Sequence, residues 1–372
     1  MKSIYLSFVL TAAAVVAALA AVSLDPESPT NYIPKLGEFP PAGVGIYHAG
    51  ELISVDAINR RCVIRILGNR DMERYHGSDP QEVVLLPYAT VRYHGAPAEL
   101  RDIPIGTVVH SYCVFPLGHS LSTPRPRGYA EPQTHAITFE DSFSFYERRG
   151  QRWKIESIEE GKLNVVSTGP AEGDGPLGKQ TFSYDASTRV WKGKEIATVA
   201  DLAPGQIVHF NFTWAANWGM GGLQALDVWT DEESRTTAAE VQRQIHIRYM
   251  RYRWLPGWVD HVEDQGGGKG IVTVTLFDNC DPSLYEQLKS SKNLAIAVSD
   301  PTLRTWLHAY DSKSGPLLEL KTTPRPPFGH SGLTVRVPVT ELLEGYRPGR
   351  IVRVRPDGFP SAKLPPDERI RR

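Results

Sequence analysis

The sequence predicts a mainly β protein built from three tandem small barrels of the OB-like or SH3-like kind, with one or two connecting helices. Three observations lead to this prediction. Short alternating runs lie between turns, and the turns draw on 32 glycines and 29 prolines among 372 residues, which is typical of all-β proteins. One pattern of strands and turns occurs three times. Each copy offers about five short strands, which suits a barrel because closure removes exposed sheet edges.

The first element is an apolar segment at the N-terminus. Lys2 precedes a stretch from Ile4 to Val22 that carries no charge, and small residues near its end fit signal-peptidase cleavage. We therefore expect residues 1–23 to be a signal peptide or, since the stretch is just long enough to span a bilayer, an uncleaved N-terminal anchor. Both alternatives export the remainder to the periplasm, the cell envelope or the medium of a bacterium. The membrane is then a partner only through an uncleaved segment.

The three copies share one order of strands. The matching runs are 50–56, 62–67, 90–95 and 100–109 in the first copy, 155–161, 163–166, 189–193 and 199–208 in the second, and 257–262, 271–277 and 342–354 in the third. We place barrel module 1 at 40–118, module 2 at 153–230 and module 3 at 255–356, followed by a frayed tail at 357–372.

A turn with proline and glycine ends each copy. Proline presets the turn, glycine supplies a positive φ, and alternating apolar residues then fill one face of a strand. The three turns are Pro104 with Gly106, Pro204 with Gly205, and Pro348 with Gly349. The pattern predicts that the same turn closes every module.

Two segments rich in arginine and aromatic residues precede copies two and three. We predict connecting helices at 136–152 and 232–252, the latter with acidic residues at its start and basic residues at its end, as the helix dipole favours. Arginine stacked on aromatic rings favours a role in bracing the barrels. Lysine and arginine total 41 against 42 for aspartate and glutamate. No long-range field therefore recruits nucleic acid, and we expect no nucleic-acid partner.

Three cysteines are too few and too widely spaced for a disulfide scaffold or a zinc ribbon. Strand alternation places Cys62 and Cys113 on inward faces of module 1. Two alternatives follow for this pair. They form one disulfide in an oxidising compartment and leave Cys280 unpaired, or they stay reduced as small buried apolar groups.

The repeated order of strand, turn and strand resembles the small barrel domains of unknown function that are common in secreted bacterial proteins. That resemblance implies the fold alone. Residues 202–212 and 222–228 of copy two are similar to the periplasmic copper-binding chaperone family, which has an OB fold. This second resemblance implies Cu(I) held by a histidine, two closely spaced methionines and a tryptophan. Trp218 and Met220 lie close together here, but the methionine pair is missing, and we expect His209 to face solvent.

The segment 213–222 is an aromatic, glycine-rich loop by its composition. With Trp229 nearby, its residues Trp214, Trp218 and Met220 are candidates for binding a ligand, together with His209. OB-like barrels bind oligosaccharides or single strands through such loops. The alternative is that the tryptophans plug a barrel end or fill a seam between barrels.

Catalytic and cofactor motifs are lacking in the sequence. The histidines form no metal-binding spacing, and no nucleophile elbow is present. The glycine-rich segment 266–270 lies between two strands and is predicted to be a hairpin turn. The leading prediction is a non-enzymatic exported scaffold or interaction protein without a cofactor, whose partner is an envelope or extracellular protein or a glycan. A module that binds copper or an oligosaccharide is the alternative, and a hydrolase with an unrecognised site is a remote one.

Overall fold

The computed structural model describes residues 32–67, 80–114, 134–169, 173–217, 220–300, 303, 310–361 and 364. Of these residues, 51% lie in strands and 15% in helices, and they form two closed five-stranded barrels and a curled half-barrel. The prediction of a mainly β chain of tandem barrels is confirmed, except that the third module does not close. Residues 1–23, the predicted signal peptide or anchor, lie outside the described residues.

Barrel 1 is a closed barrel with one parallel strand pair. Its described strands are β1 (Ile46–Asp56), β2 (Arg61–Ile66), β3 (Gln81–Tyr93), β4 (Ala96–Pro97), β5 (Val108–Val114) and β6 (Thr134–Asp141). The sheet order is β2-β1-β5-β6-β3-β4, and a pairing of β2 with β3 closes it. β6 runs parallel to β3 and antiparallel to β5, so it fills the gap between these two strands.

The predicted boundary between module 1 and the first helix is therefore wrong. β6 begins beyond residue 118 and extends into the segment 136–152 that was predicted to be helical, whereas helix α1 covers only Ser142–Arg148. The physical reason is closure: without β6, the edges of β3 and β5 would remain unpaired. Nearly every residue of β6 is buried, which hides the strand alternation that reveals a half-exposed strand in a sequence.

Barrel 2 repeats this arrangement. Its described strands are β7 (Arg152–Glu159), β8 (Lys162–Thr168), β9 (Lys179–Ser183), β10 (Arg189–Lys192), β11 (Glu195–Ala197), β12 (Ile207–Asn217) and β13 (Met220–Trp229). The order is β11-β10-β13-β12-β7-β8-β9, and a pairing of β13 with β9 closes the barrel. The pairing of β13 with β9 is parallel, as is the pairing of β6 with β3 in barrel 1.

Module 3 begins like the barrels but ends differently. Its described elements are β14 (Leu255–Gly266), β15 (Lys269–Phe277), α3 (Pro282–Lys289), β16 (Asn293–Val298), β17 (Ser312–Pro316), β18 (Glu319–Thr322), β19 (His330–Val339) and β20 (Ile351–Arg355). The order is β17-β16-β20-β14-β15-β19-β18. In barrels 1 and 2, the strand that follows the repeated turn is β5 or β12, and the next strand of the chain, β6 or β13, completes the barrel. In module 3, β16 comes earlier in the chain, pairs with β20 and makes no pairing with β19, so the sheet curls without closing.

The repeated turn is the same in all three modules. The first strand of each module has a bulge directly after one apolar residue, and the turn glycine donates a backbone hydrogen bond to that residue. The pairs are Gly106 N to Leu52 O at 2.7 Å, Gly205 N to Ile155 O at 2.7 Å and Gly349 N to Val259 O at 2.8 Å. The φ angles of these glycines are 88°, 89° and 78°. The predicted role of glycine in these turns is confirmed.

The helices brace the modules, as the sequence predicts. Helix α2 covers Glu232–Arg253 and so matches the predicted 232–252. Asp141 and Asp231 are the N-caps of α1 and α2, and each accepts a hydrogen bond from the backbone N–H of the third helical residue. Phe145 of α1 belongs to the core of barrel 2, and Met250 of α2 to the core of module 3. No helix in the described part of the chain combines the length and apolar character that a membrane span requires.

The described part of the tail is folded, against expectation. Phe359 and Leu364 are 6% and 1% exposed and belong to the core of module 3. The indole Nε1 of Trp254 donates a hydrogen bond to the carbonyl of Pro360 at 3.0 Å. The tail therefore covers the end of α2, because two apolar side chains within a proline-rich and charged segment find a site in the core.

Candidate binding site

His209 and Trp229 lie side by side in a buried seam. They are paired across β12 and β13 and are 4% and 2% exposed. Phe143 of α1 packs against both, with ring centroids 5.7 Å from His209 and 4.6 Å from Trp229. His94 of barrel 1 contacts both Trp229 and Phe143, with ring centroids at 5.1 and 6.3 Å. We call these four residues, together with Asp141, the seam between barrels 1 and 2.

The expectation that His209 faces solvent is therefore wrong. Its side chain does point away from the barrel core, but α1 and barrel 1 cover that outer face. Both ring nitrogens have no hydrogen-bond partner among the described residues. Burial is the main cause that lowers the pKa of His209 to about 3, and the positive charges of Arg235 and Arg152 add to it. The ring is therefore neutral at physiological pH.

The predicted aromatic loop is largely a hairpin. β12 continues to Asn217 and β13 begins at Met220, so only Trp218 and Gly219 fall outside the described residues. Trp214 is half-buried and lies opposite Leu223. It is five residues along the strand from His209, about 16 Å away at the usual rise per residue. Trp214 and Trp229 therefore do not form one ligand platform. Small residues such as Gly222 continue the strand pairing, so the segment is a hairpin where a loop was predicted.

Metal binding gains little support from the described residues. They contain no group of three or more histidine, cysteine, aspartate or glutamate side chains that could hold a metal ion. Trp218, one of the predicted copper ligands, lies outside the described residues. The copper interpretation of copy two stays a prediction.

The cysteines are free and buried. Cys62, Cys113 and Cys280 are 2%, 0% and 4% exposed, so the inward orientation predicted for the first two is confirmed. The structure has the reduced form of the two alternatives. Burial raises the pKa of Cys113 to about 11, against the opposing effect of the Ser111 hydroxyl. Such a thiol is a packing group and a poor nucleophile.

A cavity of about 290 Å³ lies where barrel 1, the end of α2 and module 3 meet. We call it the inter-module cavity. Its apolar lining residues include Leu36, Ile58, Leu85, Phe277 and Ile351, and its polar lining residues include Arg60, Glu99, Tyr249, Arg253, Ser299, Asp300, Tyr310, Arg350 and Arg353. The wall exists only because the modules are docked on one another.

Arginines from three separate elements converge on this cavity. Arg60 is in the turn between β1 and β2, Arg253 ends α2, and Arg353 is in β20. Arg60 donates to the carbonyl of Ala89 at 3.1 Å and to Glu99 Oε2 at 3.4 Å. It has a φ of 52°, a left-handed conformation that is uncommon for a residue with a side chain.

Aromatic rings hold the other two guanidinium groups. Arg253 lies over the rings of Tyr249 and Tyr310, 5.4 and 5.8 Å from their centroids. Arg353 lies 5.9 Å from the centroid of Tyr310, so this ring is in contact with both cations. Cation–π contacts stabilise an arginine without cancelling its charge.

The described lining residues of the cavity include more arginines than carboxylates. Four arginines and two carboxylates are among its described lining residues, which leaves two formal positive charges. Glu99 pairs with Arg60 at 3.4 Å, and Asp300 pairs with Arg350 at 3.8 Å. Burial lowers the pKa of Arg60; Glu99 opposes this shift, and Arg353 and Arg253 add to it. The guanidinium groups are therefore close enough to repel one another.

A second, larger groove of about 540 Å³ is lined by the segment 40–44, barrel 1, the end of α1 and residues 278–280 of module 3, among others. Arg148 and Glu140 in its wall form a hydrogen-bonded ion pair at 2.7 Å. Arg92 and Asp278 are its other charged lining residues, so its described charges balance. This groove is less suited than the inter-module cavity to select a charged ligand.

Sequence reasoning did not find the inter-module cavity. It identified the arginine and aromatic run around 244–254 but interpreted it as a brace. A usable signal was the second cluster of arginines at 347–355 in a strand that follows the repeated turn. Arg60 carries no such signal, since it is one polar residue in a short turn.

Comparison with known proteins adds no family to this description. No protein-family model matches the sequence, and no curated protein matches it significantly.

Proposed function

We propose that this chain is an exported, non-enzymatic scaffold whose docked modules bind a small ligand in the inter-module cavity. The observation that carries the proposal is the composition of the cavity wall, to which barrel 1, α2 and module 3 each contribute. Ligand sites commonly form at such junctions between domains, in cavities of about 300 Å³ or more. Export is supported by the uncharged segment from Ile4 to Val22.

The strand order of barrels 1 and 2 supports an OB-like assignment for these two modules. In both, the five closing strands follow the order first, second, third, fifth and fourth, with the third and fifth parallel. OB-like barrels serve as binding modules for extended ligands. An envelope protein or a glycan as a further partner is part of the same proposal.

Two related dyes test ligand binding. N-phenyl-1-naphthylamine is neutral, and 1-anilinonaphthalene-8-sulfonate carries one added sulfonate; both fluoresce more strongly in apolar surroundings. We expect at least one of them to bind saturably to one site per chain. Ile58→Trp at the cavity, where the native side chain is 41% exposed, should weaken that binding about tenfold.

The matched control is Ile105→Trp, because Ile105 is an exposed isoleucine of the same barrel (63%) and does not line the cavity. It should leave the affinity unchanged. Absence of binding by both dyes, or equal effects of the two tryptophan variants, would contradict the proposal.

Copper binding in barrel 2 is supported by one observation, the two ring nitrogens of His209 that lack a partner among the described residues. Native mass spectrometry of the mature protein with and without Cu(I) tests it. Stoichiometric retention of copper that is lost in His209→Phe would favour this alternative. A spectrum that copper leaves unchanged would remove it.

A further inference from the structure

The geometry of the inter-module cavity points to its ligand class: we infer that it binds an organic anion, a carboxylate, sulfonate or phosphate that carries an apolar group. This inference rests on the proposed function, since it names the ligand of the same cavity.

Arg353 has only neutral hydrogen-bond acceptors among the described residues. Its guanidinium donates to the carbonyls of Arg253 and Trp254, both at 3.3 Å, and to the hydroxyl of Ser299 at 3.3 Å. A half-buried cation without a carboxylate partner is costly to desolvate. A bound anion would supply the missing negative charge.

Arg60 lines the same cavity and has a donor without a partner among the described residues. Its Nε–H is buried and has no partner in the part of the chain that the structure describes. Buried N–H groups are rarely left without an acceptor. Because a guanidinium presents its donors in a planar fork, it matches the paired oxygens of a carboxylate or phosphate.

Apolar side chains also line the cavity and suit the rest of the ligand. Among them, Leu85 and Phe277 are buried, and Leu36 and Ile58 are 58% and 41% exposed. Inorganic phosphate would satisfy the arginines but leave these side chains hydrated. A charged head with an apolar body satisfies both kinds of lining residue.

An anion in this position would join two modules. Arg60 belongs to barrel 1 and Arg353 to module 3, and their positive charges repel one another. The ligand would replace that repulsion with two attractions. Binding should therefore stabilise the docking of module 3 on barrel 1 as well as the fold.

The dye pair separates charge from shape. We expect 1-anilinonaphthalene-8-sulfonate to bind at least about tenfold more tightly than neutral N-phenyl-1-naphthylamine, with an affinity that falls as salt rises. Arg353→Gln should remove this preference and leave the neutral dye unaffected. Arg353→Lys retains the charge and should restore most of the preference.

Controls keep a folding defect apart from a binding effect. Arg347→Gln removes an arginine of module 3 whose side chain is 64% exposed and pairs with Glu344, and it should change neither affinity. Arg60→Gln provides a second cavity variant if Arg353→Gln proves unstable to heat. Circular dichroism establishes that each variant is folded.

Displacement of the sulfonated dye then distinguishes the head groups. Octanoate, octyl sulfate and octyl phosphate share one tail, and octanol is the neutral control. The inference is supported if the anions displace the dye about tenfold better than octanol does, and their ranking identifies the head group. It is overturned if octanol competes equally and if both dyes bind alike in wild type and Arg353→Gln. That result would leave the proposed function intact, whereas failure of both dyes to bind would remove the function as well.

Discussion

The side-chain amide of Asn211 in β12 donates a hydrogen bond of 2.7 Å to the buried carboxylate of Asp141, across the seam between barrels 1 and 2. The same carboxylate accepts hydrogen bonds from the backbone N–H groups of His94 and Ser144. Asn211 in turn accepts a hydrogen bond from the backbone N–H of Phe143 at 3.0 Å. One carboxylate thus ties the last strand of barrel 1, the start of α1 and barrel 2 together.

Asn211→Ala should therefore destabilise the protein by about 2 to 3 kcal/mol, because it leaves a buried carboxylate oxygen and a buried N–H short of a partner. Urea denaturation measures the change. Asn164→Ala is the control, since the hydrogen bonds of Asn164 to Glu159 and Thr181 are exposed to solvent, and it should cost less than about 1 kcal/mol. Equal losses in the two variants would show that the seam does not depend on this contact.

Buried histidines should make the fold sensitive to acid. Burial lowers the pKa of His94 to about 4 and that of His110 and His209 to about 3, all below the value of 6.5 for an unfolded histidine. The unfolded chain thus binds more protons below pH 6.5. The stability that depends on these neutral rings is complete above that pH and declines as the pH falls toward the folded values.

His209→Phe tests one of these rings. Between about pH 6 and pH 4, the free energy of unfolding of His209→Phe should fall less steeply with decreasing pH than that of the wild type. The two slopes should differ by about 1.4 kcal/mol per pH unit. Urea denaturation at several pH values provides the slopes. The same replacement at His261, which is exposed, is the control for the loss of an imidazole. A wild-type slope in His209→Phe would show that His209 titrates normally.

The repeated turn offers a test of backbone conformation alone. Gly205 has a φ of 89°, and a Cβ added to it would meet nothing within 4 Å. Gly205→Ala should therefore cost about 1 kcal/mol through the left-handed conformation only. Gly222→Ala is matched to it, because a Cβ there also meets nothing within 4 Å and its strand conformation is ordinary. If both variants are equally stable in thermal unfolding, the turn does not require glycine.

These positions show which parts of the structure the sequence reveals. Gly106, Gly205 and Gly349 could be predicted because a turn that requires a positive φ has a local sequence pattern, a glycine after a proline. The start of α2 was found because its capping Asp231 and its acidic first turn are also local. The repeat and its strands follow from such local patterns.

Relations between distant segments escaped prediction. The alternation of β12 correctly placed His209 on the outer face of the strand, but no local pattern shows that α1 covers this face. In module 3, β16 pairs with β20 in the place that a later strand takes in barrels 1 and 2. Among the described residues, no strand follows β20. Arg60 and Arg353 meet only through the docking of barrel 1 on module 3. Tertiary contacts of this kind decide burial and charge without altering the sequence pattern nearby.

The three cysteines provide the last prediction. Because Cys62, Cys113 and Cys280 are buried and free, and because burial raises the pKa of Cys113 to about 11 and that of Cys280 to about 12, the folded protein should react very slowly with a thiol reagent. Titration with dithionitrobenzoate in denaturant should then release three equivalents, as expected for the reduced form. A disulfide between Cys62 and Cys113 would leave only Cys280 to react, and Cys280→Ser would lower that count to zero. In the reduced protein, Cys280→Ser retains two reactive thiols, so this variant separates the two alternatives without reference to an absolute calibration.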